Sequence, residues 1–304
     1  WGWDDGRSIS FYNAAMDPHL PTSRIVLPPG GWASIVDFLC ERFPAIDREA
    51  WIERMERGAV TADGVEVHRL APYRPGAVVT YRREVPDEPR IPFEETILHV
   101  DDDLVVVDKP HFLPVMPAGR FVEETLSVRL VRRLDNPDLV ALHRLDRATA
   151  GLVVFSARPS SRDAYTRLFR DRAIAKIYEA VAPPLPERAF PFVHESRLER
   201  GEPFFRMREV PGKPNARTKI DVIERGDRHW LYRLEPITGR KHQLRVHMSA
   251  LGAPILGDPV YPSLRDEAPG FAEPLRLLAR ELRFVDPLSG TERVFRSERQ
   301  LGLD

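Results

Sequence analysis

Apolar runs of strand length recur through the later part of this chain, and they are not spaced by the regular helices that a parallel α/β sheet requires. Residues 104–107, 152–155, 177–181, 219–223 and 230–234 are all rich in Val, Ile, Leu or aromatic side chains. Each is too short for a buried helix and is bounded by polar or turn-forming residues. Helical spacing is found in only two places there, 162–169 and 243–251. Strands that outnumber helices without βαβ alternation predict an α+β fold built on a mixed, largely antiparallel central sheet. The chain has 304 residues, 42% of them apolar, enough for one large domain or a large one with a small companion.

The N-terminal part reads differently. Residues 1–30 carry scattered aromatics, Pro and Gly with no period and are expected to form an irregular arm. A helical pattern then starts with Trp32, Ile35, Val36, Phe38 and Leu39, and a second short helix fits residues 47–57, with Trp51, Ile52 and Met55 on one side. Gly58-Ala59-Val60-Thr61-Ala62-Asp63-Gly64-Val65 reads as strand, Asp-Gly turn, strand. Residues 31–83 therefore form a small helix-helix-hairpin domain. Glu84, Pro86, Asp87, Glu88, Pro89, Arg90 and Pro92 mark 84–95 as a linker, and 96–304 as the large domain. No internal repeat is visible.

Net charge is −1, so a polyanionic partner would have to be met by basic residues gathered on one face. Cys40 is the only cysteine, which excludes internal disulfides and cysteine-rich zinc sites and fits a reducing compartment. No apolar run is long enough to cross a bilayer, and the first residues, Trp1-Gly2-Trp3-Asp4-Asp5, lack a signal pattern. A cytoplasmic, membrane-free protein, monomeric by default and without an obligate protein partner, is the expectation.

Two segments concentrate chemistry. In His143-Arg144-Leu145-Asp146-Arg147-Ala148-Thr149-Ala150-Gly151-Leu152 a carboxylate lies between two arginines, on a turn between apolar stretches. Nearby guanidinium groups keep a carboxylate ionised, and an ionised, oriented carboxylate serves as nucleophile or general base. An ion pair closing a turn would give the same local pattern. In Pro236-Ile237-Thr238-Gly239-Arg240-Lys241-His242-Gln243-Leu244-Arg245-Val246-His247 a Thr-Gly turn opens a basic helix. On it Lys241 and Arg245 share a face, as do Arg240 and His247, an arrangement suited to phosphate and equally consistent with a solvated charged face. His242 and His247 are spaced wrongly for a helical metal pair and no Glu or Cys accompanies them, so no metal is expected. Tyr178, in Lys176-Ile177-Tyr178-Glu179-Ala180, sits on one face of a strand. Phosphate-binding glycine loops and Gly-x-Ser-x-Gly elbows are missing.

Taken in order, these segments resemble the RluA family of RNA pseudouridine synthases over roughly residues 97–285. The resemblance rests on Asp101-Asp102-Asp103-Leu104-Val105-Val106-Val107-Asp108-Lys109-Pro110, on His143-Arg144-Leu145-Asp146 with Thr149 and Gly151, and on Lys176-Ile177-Tyr178-Glu179-Ala180. It continues through Thr238-Gly239-Arg240-Lys241-His242-Gln243-Leu244-Arg245-Val246-His247 and Gly252-Ala253-Pro254-Ile255-Leu256-Gly257-Asp258. Residues 32–83 are more loosely similar to the alpha-L RNA-binding domain that many members carry in front. The sequence departs from the family pattern at Ala150, where Ser is usual, and at Met116, in a segment where His is common.

The resemblance implies the pseudouridine synthase fold and isomerisation of uridine to pseudouridine in ribosomal or transfer RNA, without a cofactor. It implies Asp146 as the essential carboxylate, Arg245 as its ion-pair partner and Tyr178 as the ring against the target base, with either Tyr178 or a water removing the C5 proton. Arg144, Arg147, Arg240, Lys241, His242, Leu244 and Val246 are the accompanying RNA- or uracil-contacting candidates. A non-catalytic RNA-binding or ribosome-assembly factor on the same fold is the rival expectation. A carboxylate glycoside hydrolase ranks below it, since that chemistry needs two facing acids.

Overall fold

The computed structural model describes residues 22–85, 88–266 and 268–303, and the chain divides into two compact units after Glu84. In the first unit the elements are β1 (Thr22–Val26), α1 (Ile35–Arg42), α2 (Arg48–Glu56), β2 (Val60–Ala62), β3 (Val65–Glu66) and β4 (Val78–Arg82). α1 begins at Ile35 because Ser34 and Asp37 form a reciprocal capping box, each side chain accepting the other's backbone N–H. Trp32 therefore lies outside the helix, its ring against Phe38 and Tyr73. Asp47 caps α2. Of the expected apolar face, Trp51 and Met55 are buried and Ile52 is only half-buried. Arg54 is buried instead, its guanidinium over the Trp51 ring at 5.1 Å. Asp63 and Gly64, with φ of 50° and 83°, make the tight turn between β2 and β3.

Strand order in this unit is β1-β4-β2-β3, all antiparallel. The irregular arm expected over 1–30 is thus corrected at its end. Residues 22–26 are an edge strand, held by the backbone ladder to β4 and not by a buried face, since Val26 is 56% exposed. A strand without an apolar face has no period to read. Residues 1–21 of that arm lie outside the described residues.

The second unit contains β5 (Thr96–Val100), β6 (Leu104–Lys109), α3 (Leu126–Leu134), β7 (Val140–Ala141), β8 (Ala150–Ser156), α4 (Pro159–Arg170) and β9 (Ala175–Ala182). It continues with β10 (Phe192–Arg200), β11 (Met207–Val210), β12 (Ala216–Arg225), β13 (Trp230–Pro236), α5 (Gln243–Ala250), β14 (Leu277–Val285) and β15 (Glu292–Arg296). They build one 11-stranded sheet along the path β11-β10-β12-β13-β9-β14-β8-β6-β5, with β15 on β14 and β7 on β8. The pairing of β14 with β8 is parallel and the other pairings among the described residues are antiparallel, which is the mixed sheet expected.

All five strand-length runs fall inside strands of this sheet. The run 104–107 and its neighbour 152–155 are apolar at every position because both faces are covered. Val105, Val107, Val153 and Phe155 face α3 in one core cluster, while Leu104, Val106, Leu152 and Val154 face Tyr165 of α4 in another. α5 packs through Leu244 and Met248 on Ala180, Ala182, Tyr232 and Leu234.

The expected linker is corrected from Glu88 onward. The Glu88 carboxylate accepts the N–H groups of Val122, Glu123 and Glu124, Ile91 is buried in the α3 core, and Arg129 donates to the carbonyls of Ile91 and Phe93. Charge and proline here satisfy the backbone of a packed segment and do not mark a solvated tether.

Candidate active site

Asp146 lies on the turn that leads into β8. Leu145 anchors the turn in the core, and the Thr149 N–H donates to the Asp146 carbonyl at 3.0 Å. Two side chains from the end of β6 hold the next carbonyls. The buried Lys109 ammonium donates to Arg147 at 3.3 Å as well as to Pro110 and Leu113, and His111 Nδ1 donates to Ala148 at 2.8 Å. Burial pushes Lys109 down to about 7, with the Asp146 charge pulling the other way. Burial likewise pushes His111 down to about 4, so its ring is neutral and Nδ1 carries the proton that Ala148 accepts. Lys109 and His111 thus brace the turn from beneath.

Gly151 completes the placement. Its φ is 108°, and a Cβ there would fall on the Ala279 backbone, where β8 meets β14. Behind the turn, His143 Nε2 accepts from Val154 N–H at 3.1 Å and its ring stacks on Phe169. Burial pushes this histidine down to about 3.

Arg245, on the first turn of α5, reaches Asp146 from far along the chain, with Nη1 to Oδ2 at 3.0 Å. The same guanidinium makes a two-pronged contact with Asp258, both at 2.7 Å. Asp258 is 0% exposed and also accepts the N–H groups of Val260 and Tyr261, so its charge is fully partnered. His242 Nε2 lies 3.7 Å from the other Asp146 oxygen. Burial pushes the Asp146 carboxyl up, but the His242 ring and the Arg245 guanidinium outweigh it and hold the group below its ordinary range. The charge is kept by these residues from α5 and its N-terminal edge more than by Arg144 and Arg147, the sequence neighbours that suggested it.

Asp146 opens onto a cavity of about 820 Å³ lined by Tyr178, Leu244, Leu277 and the segment 236–245, a size usual for small-molecule and nucleotide sites. Arg144, Arg172, Lys176, Arg240 and Lys241 ring it, and Asp146 is the one carboxylate among the lining residues. Tyr178 is raised well above the usual phenol range, by burial first and the Asp146 charge second, and is a neutral phenol near pH 7.

The structure thus gathers Asp146, Tyr178, Arg245, Arg144, Arg240, Lys241, His242 and Leu244 around one cavity. Arg147 and Val246 are not on its wall: the Arg147 guanidinium lies over the Phe121 ring at 5.6 Å, and Val246 packs with Leu198, Ala216 and Tyr261. The expected helix faces are corrected too. α5 starts at Gln243, and His242 before it has φ 54°, so Arg240 and Lys241 belong to the preceding loop. The Gln243 side chain sets that loop, accepting from Thr238 and the Arg240 N–H and donating to the Arg217 carbonyl and Thr218. Asp258, Lys109 and His111 carry no signal of their own in the sequence, because a buried partner of a partner leaves no periodic pattern.

One group among the described residues has metal-ligand composition: His194, Glu209 and His247, whose ligand atoms lie within 4.8 Å of one another. Sequence spacing gave His247 no acidic companion; the sheet supplies one. Both ring nitrogens of His247 are engaged, by the hydroxyls of Thr218 at 2.9 Å and Ser196 at 3.1 Å, and His194 pairs with Glu209 at 2.8 Å. The group is hydrogen-bonded internally and joins α5 to β10, β11 and β12.

A basic cavity around one braced carboxylate on a mixed α+β sheet defines an enzyme site suited to a nucleic-acid substrate. Residues 103–250 match the family described as RNA pseudouridylate synthase. An uncharacterized RNA pseudouridine synthase of Synechocystis sp. is 35% identical over 233 residues, 75% of this chain and 79% of that protein. The dual-specificity RNA pseudouridine synthase RluA of Escherichia coli is 37% identical over 215 residues, 70% of this chain and 94% of that one. Among solved structures, human RNA pseudouridylate synthase domain containing 1 superposes with a TM-score of 0.57 at 25% identity, covering 71% of this chain and 89% of that one. Human RNA pseudouridylate synthase domain containing 4 gives 0.53 at 29%, covering 66% and 87%. The chain belongs to the RluA-type RNA pseudouridine synthases. It is an isomerase that acts on RNA.

Proposed function

We propose that this enzyme isomerises specific uridines in structured ribosomal or transfer RNA, with Asp146 as the catalytic carboxylate. The observation that carries the reading is the Arg245–Asp146 contact at 3.0 Å, inside a basic cavity whose lining holds no second acid. Isomerisation breaks the N1–C1′ bond, turns the uracil and joins C5 to C1′. Atoms and electrons balance within the nucleotide, so the chemistry calls for no redox partner. An ionised carboxylate either attacks C1′ or removes the 2′ proton, and Arg245 keeps it ionised in both routes.

The target base must leave its stack, at a cost of a few kcal/mol. Tyr178, as a neutral phenol on the cavity wall, is suited to lie against the flipped uracil, and either its oxygen or a water takes the C5 proton. Arg144, exposed at the rim, is placed to fill the vacated stack, and Arg240 and Lys241 to hold phosphates. The small N-terminal unit is read as the alpha-L-type RNA-binding domain. Its helix-helix-strand order supports this, with β1 and β4 added to the hairpin.

Asp146→Asn tests the proposal. Tritium release from 5-labelled uridine in RNA should vanish while RNA affinity stays near wild type. Near-normal turnover in that variant removes Asp146 from the mechanism.

A further inference from the structure

The second contact of Asp146 is built more elaborately than a chance neighbour. Tyr261, 4% exposed, accepts the backbone N–H of Met207 at 2.8 Å, and its own hydroxyl lies 3.0 Å from His242 Nδ1. With the amide hydrogen occupying one lone pair of the phenol oxygen, the phenolic hydrogen is free to point at Nδ1. An Nδ1 that accepts leaves the ring proton on Nε2, the nitrogen facing Asp146 Oδ1 at 3.7 Å. The opposite tautomer would aim a lone pair at a carboxylate.

The placement is fixed on every side. His242 occupies the left-handed position at the mouth of α5, its ring edge-on to Tyr261. The Tyr261 N–H is tied to Asp258, and the Tyr261 ring carries the Arg245 guanidinium at 5.3 Å. The charged groups facing His242 are Asp146, Arg245, Lys241 and Asp258. Burial dominates them and pushes the ring down to about 4, so it is neutral under ordinary conditions.

We infer that Met207 N–H, Tyr261 and His242 form a proton-ordering relay that presents an Nε2–H donor to Oδ1 of Asp146, while Arg245 serves Oδ2. His242 is then a positioning residue for the isomerisation: it turns the carboxylate and favours its ionised form. At 3.7 Å the contact is longer than a hydrogen bond, of the kind that tightens once substrate is bound. The inference rests on Asp146 being the reacting carboxylate.

The test uses the full chain, with kcat, KM for RNA, Tm and the pH dependence of kcat measured for four variants. Asp146→Asn is the control for the underlying reading. Tyr261→Phe keeps the ring over Arg245 and removes only the hydroxyl. His242→Ala removes the donor, and His242→Gln returns an N–H close to the Nε2 position. Removing a hydrogen bond to a charged group should lower kcat about tenfold or more in His242→Ala. KM should change little, and the acid limb should move to higher pH because Asp146 has lost a contact that favours its charge. Tyr261→Phe should move the limb the same way, and His242→Gln should recover most of the loss.

Wild-type kcat and acid limb in His242→Ala, with Asp146→Asn inactive, would overturn the relay and leave the carboxylate in place. Loss confined to KM in both His242 variants would overturn it in favour of an RNA contact. A lower Tm and kcat in Tyr261→Phe with an unmoved acid limb would reduce the tyrosine to a structural part. An active Asp146→Asn would remove the underlying reading itself.

Discussion

Arg245 stands between two carboxylates of different character. Asp258 is sealed and fully hydrogen-bonded, and Asp146 is 30% exposed to the cavity. Replacing the arginine therefore does two separable things. Arg245→Met leaves Asp258 as an uncompensated buried charge, which should cost on the order of 3–5 kcal/mol of stability. It also lets the folded-state pKa of Asp146 rise, so that the acid limb of activity moves to higher pH. Adding Asp258→Asn, which keeps an oxygen for the Val260 and Tyr261 N–H groups, should restore much of the lost Tm without restoring turnover. Thermal denaturation and a pH–rate profile on both variants check this. If the double variant regains activity with stability, Arg245 acts on the fold and not on Asp146. In the sequence Asp146 stood out as a turn carboxylate between two arginines and two apolar runs, a pattern that an ion pair closing a turn would share. A contact across 99 residues has no local pattern, so only the family resemblance pointed to Arg245. The other supports of Asp146 were not legible: Lys109, fully buried with three carbonyl acceptors, looks like any other lysine in a list of letters.

β8 links the turn to the rest of the sheet. Its interior residues alternate between two cores, and Gly151 at its start lies against the Ala279 backbone in the parallel pairing with β14. Gly151→Ala should destabilise by about 1–3 kcal/mol from the positive φ alone, with steric displacement of β14 adding to it. Because Gly151 directly follows the turn that carries Asp146, activity should fall further than the change in Tm explains. A variant with both at wild-type level would show the approach is slack. Strands such as β8 and β6 were visible because each buries a continuous apolar run. β10 and β14 were not: Phe-Val-His-Glu-Ser-Arg-Leu-Glu-Arg and Leu-Leu-Ala-Arg-Glu-Leu-Arg-Phe-Val intersperse charges that pair across strands, as Arg280 does with Glu179 and Arg217 with Glu195. α5 begins at Gln243, where its helical spacing starts, but Arg240 and Lys241 stay outside it because His242 turns left-handed and Gln243 takes up the loop's polar groups.

Taken as a whole, a chain of net charge −1 gathers six Arg and Lys side chains around one carboxylate at its cavity. RNA affinity should therefore fall with salt despite the neutral total. Each phosphate contact contributes about 0.7–0.9 to the slope of log affinity against log salt, so Lys241→Gln or Arg240→Gln should each flatten that slope by a comparable amount. An unchanged slope in both would place the backbone of the RNA elsewhere.

The sequence by itself determined the α+β class, the small unit in front and the family, because apolar period and short collinear motifs are local properties that survive in one dimension. Only the tertiary structure decided that Arg245 answers to two acids, that Lys109 and His111 brace the turn, and that Arg147 and Val246 leave the cavity wall. Those facts follow from burial and from contacts between distant segments. Desolvation and pairing act through distances that exist only once the sheet has closed.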